Sequence, residues 1–110
     1  MRLYQRLALA TLMFIFAASA SAADYYIDIT NKTGYTIVYM YISPGDAKHW
    51  EEDVLGKKIL RNGATQRITL NNYNSPIFDV RLEDEDGDSY TFWNVNVAEQ
   101  DLVVTLDDID

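Results

Sequence analysis

From residue 25 onward, apolar and polar residues alternate in short runs that are separated by clusters of Gly, Asn and Asp. Alternation with a period of two is typical of β-strands with one buried face, and the clusters are typical of turns. The pattern predicts about seven strands, at 25–30, 35–43, 57–60, 65–70, 77–83, 89–97 and 102–106. The predicted fold is therefore all-β, a single antiparallel β-sandwich or barrel-like domain.

Two of these strands carry more specific information. The first strand carries Tyr25, Ile27 and Ile29 on one side and Tyr26, Asp28 and Thr30 on the other, which predicts one buried face. The second, at 35–43, is apolar on both faces, as expected of a central strand that is covered on both sides. The sequence thus places this second strand at the centre of the sheet.

The segment that follows the second strand carries helix start and stop residues. Ser43 and Pro44 are residue types that begin helices, and Gly56 is a residue type that ends them, so a short helix or structured loop is predicted over 47–55. Further on, Asn62-Gly63 predicts a tight hairpin between 57–60 and 65–70. An acidic turn at 84–88 is predicted to join the strands on either side of it, and residues 107–110 are predicted to fray.

The first 22 residues have the features of a secretory signal. Arg2 and Arg6 precede an apolar run at 7–18, and Ala20-Ser21-Ala22 supplies the small residues that a signal peptidase recognises. The run is shorter than the roughly 20 residues that cross a bilayer. We therefore expect a signal peptide at 1–22 and an exported domain at 23–110, periplasmic or extracellular, without a membrane anchor after cleavage.

The domain that remains is strongly acidic. Two of the nine Lys and Arg residues precede residue 23, so seven basic and 17 acidic residues remain and the net charge is −10. This charge disfavours nucleic acid as a partner, and favours both solubility and encounter with a basic protein or with cations. The chain has no cysteine, which excludes thiol catalysis and thiolate metal sites.

The acidic turn is the sharpest local feature. Asp84, Asp86 and Asp88 carry carboxylates that are candidate ligands of a calcium ion, assisted by Glu83 or Glu85. The spacing does not match the helix-loop-helix calcium site, which places Gly sixth and Glu twelfth. The alternative is a solvated turn in which Asp and Gly supply the geometry of the hairpin.

Few residues are suited to catalysis. There is one His, and no serine lies in a strand-to-helix elbow of the G-x-S-x-G kind. Ser43, His49 and Asp53 fall within one short window, which is expected by chance for such common residue types, and a surface ion pair between His49 and Asp53 is the simpler interpretation. We expect a protein that is not an enzyme.

Aromatic residues offer a candidate binding surface. If Trp93, Val95 and Val97 point inward, alternation sends Tyr90, Phe92 and Asn94 to the opposite face. These three residues, together with Glu51 and Glu52, are the candidate binding residues for a partner. The alternative is that a second sheet or the short helix covers Tyr90 and Phe92, because a small domain without disulfides needs apolar burial.

Several short motifs together resemble a known group of proteins. They are Asn31-x-Thr33-Gly34, Tyr41-Ile42-Ser43-Pro44, Trp50 followed by Asp53-x-Leu55-Gly56, the turn from Leu60 to Gly63, and Phe78-Asp79-Val80-Arg81 leading into Asp84-x-Asp86-Gly87-Asp88. The chain resembles small exported bacterial proteins of uncharacterised function, which implies an exported single β domain. Members of that group often carry two cysteines at the positions of Pro76 and Ala98, so this chain departs from the implied disulfide.

These observations lead to one expected function and one alternative. The expected function is a non-enzymatic, exported, acidic binding domain, for example an inhibitor or immunity protein that acts on a basic protein partner. The alternative is a structural domain that binds calcium through the acidic turn. No other cofactor is expected.

Overall fold

The computed structural model of the chain describes residues 22–110. The predicted signal peptide falls, except for Ala22, outside these described residues. The described part contains six strands and a short 3-10 helix: β1 at Ala23–Lys32, β2 at Ile37–Pro44, β3 at Thr65–Tyr73, β4 at Ile77–Asp84, β5 at Ser89–Asn96, β6 at Leu102–Thr105, and the helix at Leu106–Asp108. The all-β prediction is confirmed, with six strands rather than about seven.

The strands form two sheets of three. The first sheet has the order β3-β1-β6 and the second has the order β2-β4-β5. All pairs are antiparallel except β1 with β6, which run parallel from the pairing of Ile29 with Leu102 to that of Lys32 with Thr105. The predicted antiparallel hairpin around the acidic turn is confirmed, because β4 and β5 pair across it.

One hydrophobic core lies between the buried faces of the two sheets. Ile27 and Ile29 of β1 are completely buried, which confirms the buried face predicted for the first strand. From the second sheet, Phe78, Val80 and Leu82 of β4 belong to the same cluster. Among residues 22–110, no helix has the length and apolar character needed to cross a membrane.

The prediction that the second strand is central is wrong, because β2 lies at the edge of its sheet and β4 occupies the middle. Its inward residues, among them Met40 and Ile42, are buried, whereas Tyr39 is 47% exposed on the outer face. The rings of Tyr39 and Tyr41 stack against each other at 6.4 Å. The outer face of β2 is apolar because it carries these tyrosines. No second layer of the described residues covers that face.

Of the short helix or structured loop predicted at 47–55, the connection between β2 and β3 has the structured loop and contains no helix. Asp53 is the reason: its Oδ1 accepts hydrogen bonds from the amides of Met40 (2.9 Å) and Leu55 (3.0 Å). The amide of Val54 also donates to the carbonyl of Met40 at 2.8 Å. The amide of Val54 is therefore paired with the edge of β2, and the amide of Leu55 with a side chain of its own turn, where a helix would pair both with its own carbonyls.

The predicted strand at 57–60 is reduced to a single bridge. Leu60 exchanges two backbone hydrogen bonds of 2.9 Å with Ile37, also at the edge of β2, and its side chain is buried in the core. Just before it, Lys58 donates to the carbonyl of Leu55 in a turn that contains Gly56 at φ +60°. β3 pairs instead with β1, so the hairpin predicted between 57–60 and 65–70 is wrong.

The turn between β1 and β2 is held by Asn31, whose side chain is completely buried. Its Nδ2 donates to the carbonyl oxygens of Tyr35 (2.7 Å) and Leu60 (2.9 Å). Its Oδ1 accepts hydrogen bonds from the amide (2.9 Å) and the hydroxyl (2.8 Å) of Thr33. All four hydrogen-bonding positions of this amide are filled, so Asn31 joins its own turn to the β2–β3 connection.

The carboxyl end is ordered, so the prediction that residues 107–110 fray is wrong. The carboxylate of Asp110 accepts hydrogen bonds from the hydroxyls of Ser89 (2.7 Å) and Thr91 (2.6 Å), and the amide of Asp110 donates to the carbonyl of Ser89. Ile109 bridges Tyr90 in the antiparallel sense. The last two residues therefore cover part of the outer edge of β5.

Candidate functional site

A β-bulge in β5 creates the most distinctive surface of the described chain. Phe78 of β4 pairs with Val95, and Val80 pairs with Phe92, so two residues of β5 lie opposite the single residue Asp79. One of the two, Asn94, has φ of +56°, which asparagine tolerates better than most residues do. The extra residue changes the phase of alternation along β5 at this point.

The bulge turns Trp93 outward, where 65% of its side chain is exposed. The indole of Trp50, from the β2–β3 connection, packs beside it with ring centroids 5.7 Å apart and planes inclined by 33°. A cleft of about 120 Å³ lies beside the two rings, and we call it the tryptophan cleft. It is lined by Ser43, Ala47, Lys48, His49, Trp50, Asp79 and Trp93.

Asp79 contributes a carboxylate to this cleft, although its side chain is only 8% exposed. Its Oδ1 accepts a 2.8 Å hydrogen bond from the amide of Asn94, which supports the bulge. Oδ2 has no hydrogen-bond partner among residues 22–110, and the ion pairs formed by these residues involve Asp28, Glu83 and Asp110 instead. The cleft thus combines two indole rings with a largely buried carboxylate that has one free oxygen.

The loop that carries Trp50 is attached to the sheet through Ser43. The Ser43 Oγ accepts a 2.9 Å hydrogen bond from the amide of Glu51, the residue that follows Trp50. Ser43 pairs with Asp79 across β2 and β4, so this attachment lies beside the carboxylate. Trp50 is therefore held near Trp93 by a backbone contact as well as by ring packing.

The outer face of the second sheet continues from the cleft along β2 and β4. In the next row, Tyr41 pairs with Arg81 and Arg81 pairs with Thr91. The Arg81 guanidinium lies 3.5 Å from Glu83 and 3.9 Å from Asp110. Beside the cleft, this face therefore presents aromatic rings together with carboxylates that are already paired with an arginine.

The predicted binding residues are not all on this surface. Tyr90 is completely buried, so its assignment to an exposed patch is wrong, and Phe92 is partly buried against the core. The cause is the bulge, which lets Tyr90 and Phe92 point inward before it and Val95 and Val97 point inward after it.

The other three candidate binding residues are exposed. Asn94 lies in the bulge, with its backbone bonded to Asp79. Glu51 and Glu52 directly follow Trp50 in the chain; the amide of Glu51 binds Ser43 of the tryptophan cleft, whereas Glu52 lines another groove. The structure thus brings Asn94, Glu51 and the rings of Trp50 and Trp93 to one region, and separates Tyr90 from them.

The acidic turn is organised around Asp84, which is only 2% exposed. Its Oδ1 accepts hydrogen bonds from the amides of Asp86 (2.9 Å) and Asp88 (3.0 Å), and its Oδ2 accepts one from the Tyr90 hydroxyl (2.8 Å). Glu85 is also engaged, because its carboxylate accepts a hydrogen bond from the amide of Thr36. Asp84 therefore holds the hairpin from within.

Asp86 and Asp88 are exposed at the tip of this turn. Among residues 22–110, no three acidic or histidine side chains are grouped closely enough to hold a metal ion. Calcium binding by Asp84, Asp86 and Asp88 stays a prediction.

The buried tyrosine has an unusual proton affinity. Burial, together with the neighbouring Asp84 carboxylate, raises the pKa of Tyr90 to about 12 from its usual value of 10.0, and a hydrogen bond with Thr33 acts in the opposite direction. A raised pKa means that the folded state holds this proton more tightly than the unfolded state does. Stability from Tyr90 is therefore complete below pH 10 and is lost above it.

We predict that the free energy of unfolding falls as the pH rises from about 10 to about 12. The fall should be smaller in Tyr90→Phe, which has no proton to lose at this position. Urea unfolding followed by circular dichroism at several alkaline pH values would measure both. The Tyr41 pKa is also raised, so part of the fall should persist in the variant. Equal falls in the two proteins would contradict the assignment to Tyr90.

The serine, histidine and aspartate considered for catalysis do not form a hydrogen-bonded chain. Ser43 Oγ binds the amide of Glu51, and Asp53 Oδ1 binds the amides of Met40 and Leu55. His49 lines the tryptophan cleft but makes no ion pair with Asp53 among the described residues. Through these hydrogen bonds, both Ser43 and Asp53 hold the β2–β3 connection against β2.

Sequence reasoning missed the pairing of Trp50 with Trp93, because it considered Trp93 only as an inward-pointing residue of its strand. A signal was present in the sequence. Inward alternation from Tyr90 and Phe92 conflicts with inward alternation from Val95 and Val97, and an asparagine lies between the two phases. Such a conflict at a residue that accepts positive φ indicates a bulge.

Comparison with known proteins finds no matching family model, no matching curated protein and no matching solved structure.

Proposed function

We propose that this protein is an exported, non-enzymatic, acidic domain that binds a basic protein partner, as an inhibitor or immunity protein of a basic toxin or lytic enzyme would. The observation that carries the proposal is the exposed pair of Trp50 and Trp93 beside the carboxylate of Asp79. Tryptophan is enriched among the residues that dominate binding energy at protein interfaces. An indole left 65% exposed on a small domain is consistent with such a role.

Charge supports the same proposal. Seven basic and 17 acidic residues follow residue 22, and the exposed Glu51 and Glu52 directly follow Trp50 of the tryptophan cleft in the chain. A negative surface speeds encounter with a positive partner, and the contribution weakens as salt screens it. An aromatic pair at the contact then supplies the short-range attraction that charge alone lacks.

The proposal predicts salt-sensitive capture of basic proteins. Immobilised protein should retain one or a few basic proteins from the exported fraction of its source at low ionic strength and release them as salt is raised. Glu51→Lys/Glu52→Lys should weaken retention about 10-fold, since two favourable charges that directly follow Trp50 in the chain become repulsive. Surface plasmon resonance with the isolated partner would measure both the salt dependence of retention and the effect of the double substitution.

The matched control is Glu99→Lys/Asp107→Lys, which changes the net charge equally at exposed residues that lie further in sequence from the residues lining the cleft. It should weaken retention by much less than the pair next to Trp50 does. Equal weakening by the two pairs would show that net charge alone drives binding and would contradict a defined site. Retention that is independent of salt, or a partner that is not basic, would contradict the proposed function.

A further inference from the structure

We propose that the tryptophan cleft receives the side chain of an arginine from the partner, with its guanidinium stacked on indole and paired with the Asp79 carboxylate. This inference rests on the proposed function and adds the chemical identity of the group that is recognised. The size of the cleft is the first argument. At about 120 Å³ it is well below the roughly 300–1,000 Å³ of pockets that enclose whole small molecules. It fits the head group of one side chain.

The second argument is the pair of rings. Indole has the most favourable aromatic face for a cation, and a guanidinium stacks flat on it, unlike the compact ammonium of lysine. Trp93 is mostly exposed, and Trp50 is inclined by only 33° to it. A planar cation entering the cleft therefore meets one ring or both.

The third argument is the carboxylate. Asp79 is more than nine-tenths buried and lines the cleft, and its Oδ2 has no partner among the described residues. Among the described residues no fully buried side-chain oxygen lacks a hydrogen-bond partner, so Oδ2 is open to the cleft and accessible to a donor that enters it. Lys48 also lines the cleft, but it forms no ion pair with Asp79. A guanidinium supplies both a positive charge and N–H donors in one plane.

The same chain provides its own reporter. It contains two tryptophans, and both line the cleft, so intrinsic tryptophan fluorescence reports on this site. We would titrate the protein with the blocked tripeptide Gly-Arg-Gly and with matched peptides that carry citrulline or lysine. Citrulline has nearly the shape of arginine without its charge. The arginine peptide should give a saturable change, with citrulline at least about 10-fold weaker and lysine between them.

Two variants locate the interaction. Asp79→Asn should weaken binding of the arginine peptide about 10-fold or more, because the charge-assisted hydrogen bonds are lost. Trp93→Leu, at an exposed position where little packing is lost, should weaken it as well, with Trp50 still reporting. Thermal unfolding of each variant establishes that it is folded, and Trp93→Leu keeps the test valid if Asp79→Asn is not.

Equal responses to arginine and citrulline, or unchanged binding in both variants, would overturn the inference. A response to a soluble oligosaccharide but not to the arginine peptide would overturn it too and would assign the cleft to a sugar. Failure of this inference is distinguishable from failure of the proposed function. Salt-sensitive binding of a basic protein without any arginine response leaves the function standing, whereas an arginine response without such a partner removes the function and keeps the recognition chemistry.

Discussion

Asn31→Ala is expected to lower the free energy of unfolding by about 3–4 kcal/mol, the largest effect of any single substitution considered. The side chain is completely buried and makes four hydrogen bonds, to Thr33, Tyr35 and Leu60. Alanine leaves the buried amide of Thr33 without its acceptor, whereas the carbonyl of Leu60 keeps its hydrogen bond from the amide of Ile37. Domains of this size have about 5–10 kcal/mol of stability in total, so the variant should be close to unfolding.

Urea unfolding followed by tryptophan fluorescence would measure this difference, with Asn74→Ala as the matched control. Asn74 is exposed, and its side chain makes no hydrogen bond to the described residues, so the same chemical change should cost no more than about 0.5 kcal/mol there. If the two variants were equally stable, water would have replaced the Asn31 amide and the network would not be essential.

Asp84→Ala is expected to lower the free energy of unfolding by about 2–4 kcal/mol. The carboxylate accepts three hydrogen bonds, from the amides of Asp86 and Asp88 and from the hydroxyl of Tyr90. The two amides lie in an exposed turn and water can hydrate them, whereas the Tyr90 hydroxyl is buried and loses its acceptor. The cost is therefore smaller than at Asn31, where most of the partners are enclosed.

Asp86→Ala is the control for this prediction, measured in the same urea titrations. It removes the same carboxylate two residues further on, where the side chain is exposed and accepts no hydrogen bond from the described residues. Its stability should stay within about 0.5 kcal/mol of the starting protein. A loss at Asp86 as large as that at Asp84 would mean that the charges of the turn act together, and the assignment of Asp84 as its internal support would then be wrong.

Local alternation predicted the positions of the strands, except for the one expected at 57–60, better than it predicted their partners. β1, β4 and β5 lie close to where the pattern places them, and the hairpin around the acidic turn forms as predicted. The parallel pairing of β1 with β6 was not predictable from alternation, because the buried face of a strand is the same whichever neighbour it has. Pairing is a property of the whole sheet and of its edges.

The missing helix illustrates how tertiary contacts override local preference. Residues 47–55 are few, and a helix of that length is marginal without packing. Asp53 instead binds two amides, one in β2 and one in its own turn, and the segment gains hydrogen bonds at an otherwise unpaired edge. The side chain that competes with the helix is visible in the sequence, but the edge that it binds is not.

The candidate site was predicted only in part, for a related reason. Glu51, Glu52 and Asn94 were placed at a surface and are exposed, while Tyr90 was placed there and is buried. The error comes from one extra residue in β5, which reverses the alternation that the prediction extrapolated.

Several of the motif residues on which the resemblance rests make contacts that stabilise the fold. Asn31 and Thr33 bind each other, Asp53 binds the edge of β2, and Leu55 is buried in the core. Asp79 is different, because one of its oxygens supports the bulge and the residue also lines the tryptophan cleft. Among these residues, Asp79 is the one whose role extends from the fold to the surface.

Because β1 lies in the middle of its sheet, that sheet is complete only when both neighbours of β1, β3 and β6, are available. Residue 29 pairs with residue 102, so the strand near the beginning of the chain gains its second neighbour only from the strand near the end. Pairings so distant in sequence form slowly. A chain that emerges amino end first from a ribosome or a narrow channel cannot complete its first sheet until residue 105 is out. Until then β1 has only β3 as a neighbour, and the parallel pairing that completes this sheet is absent.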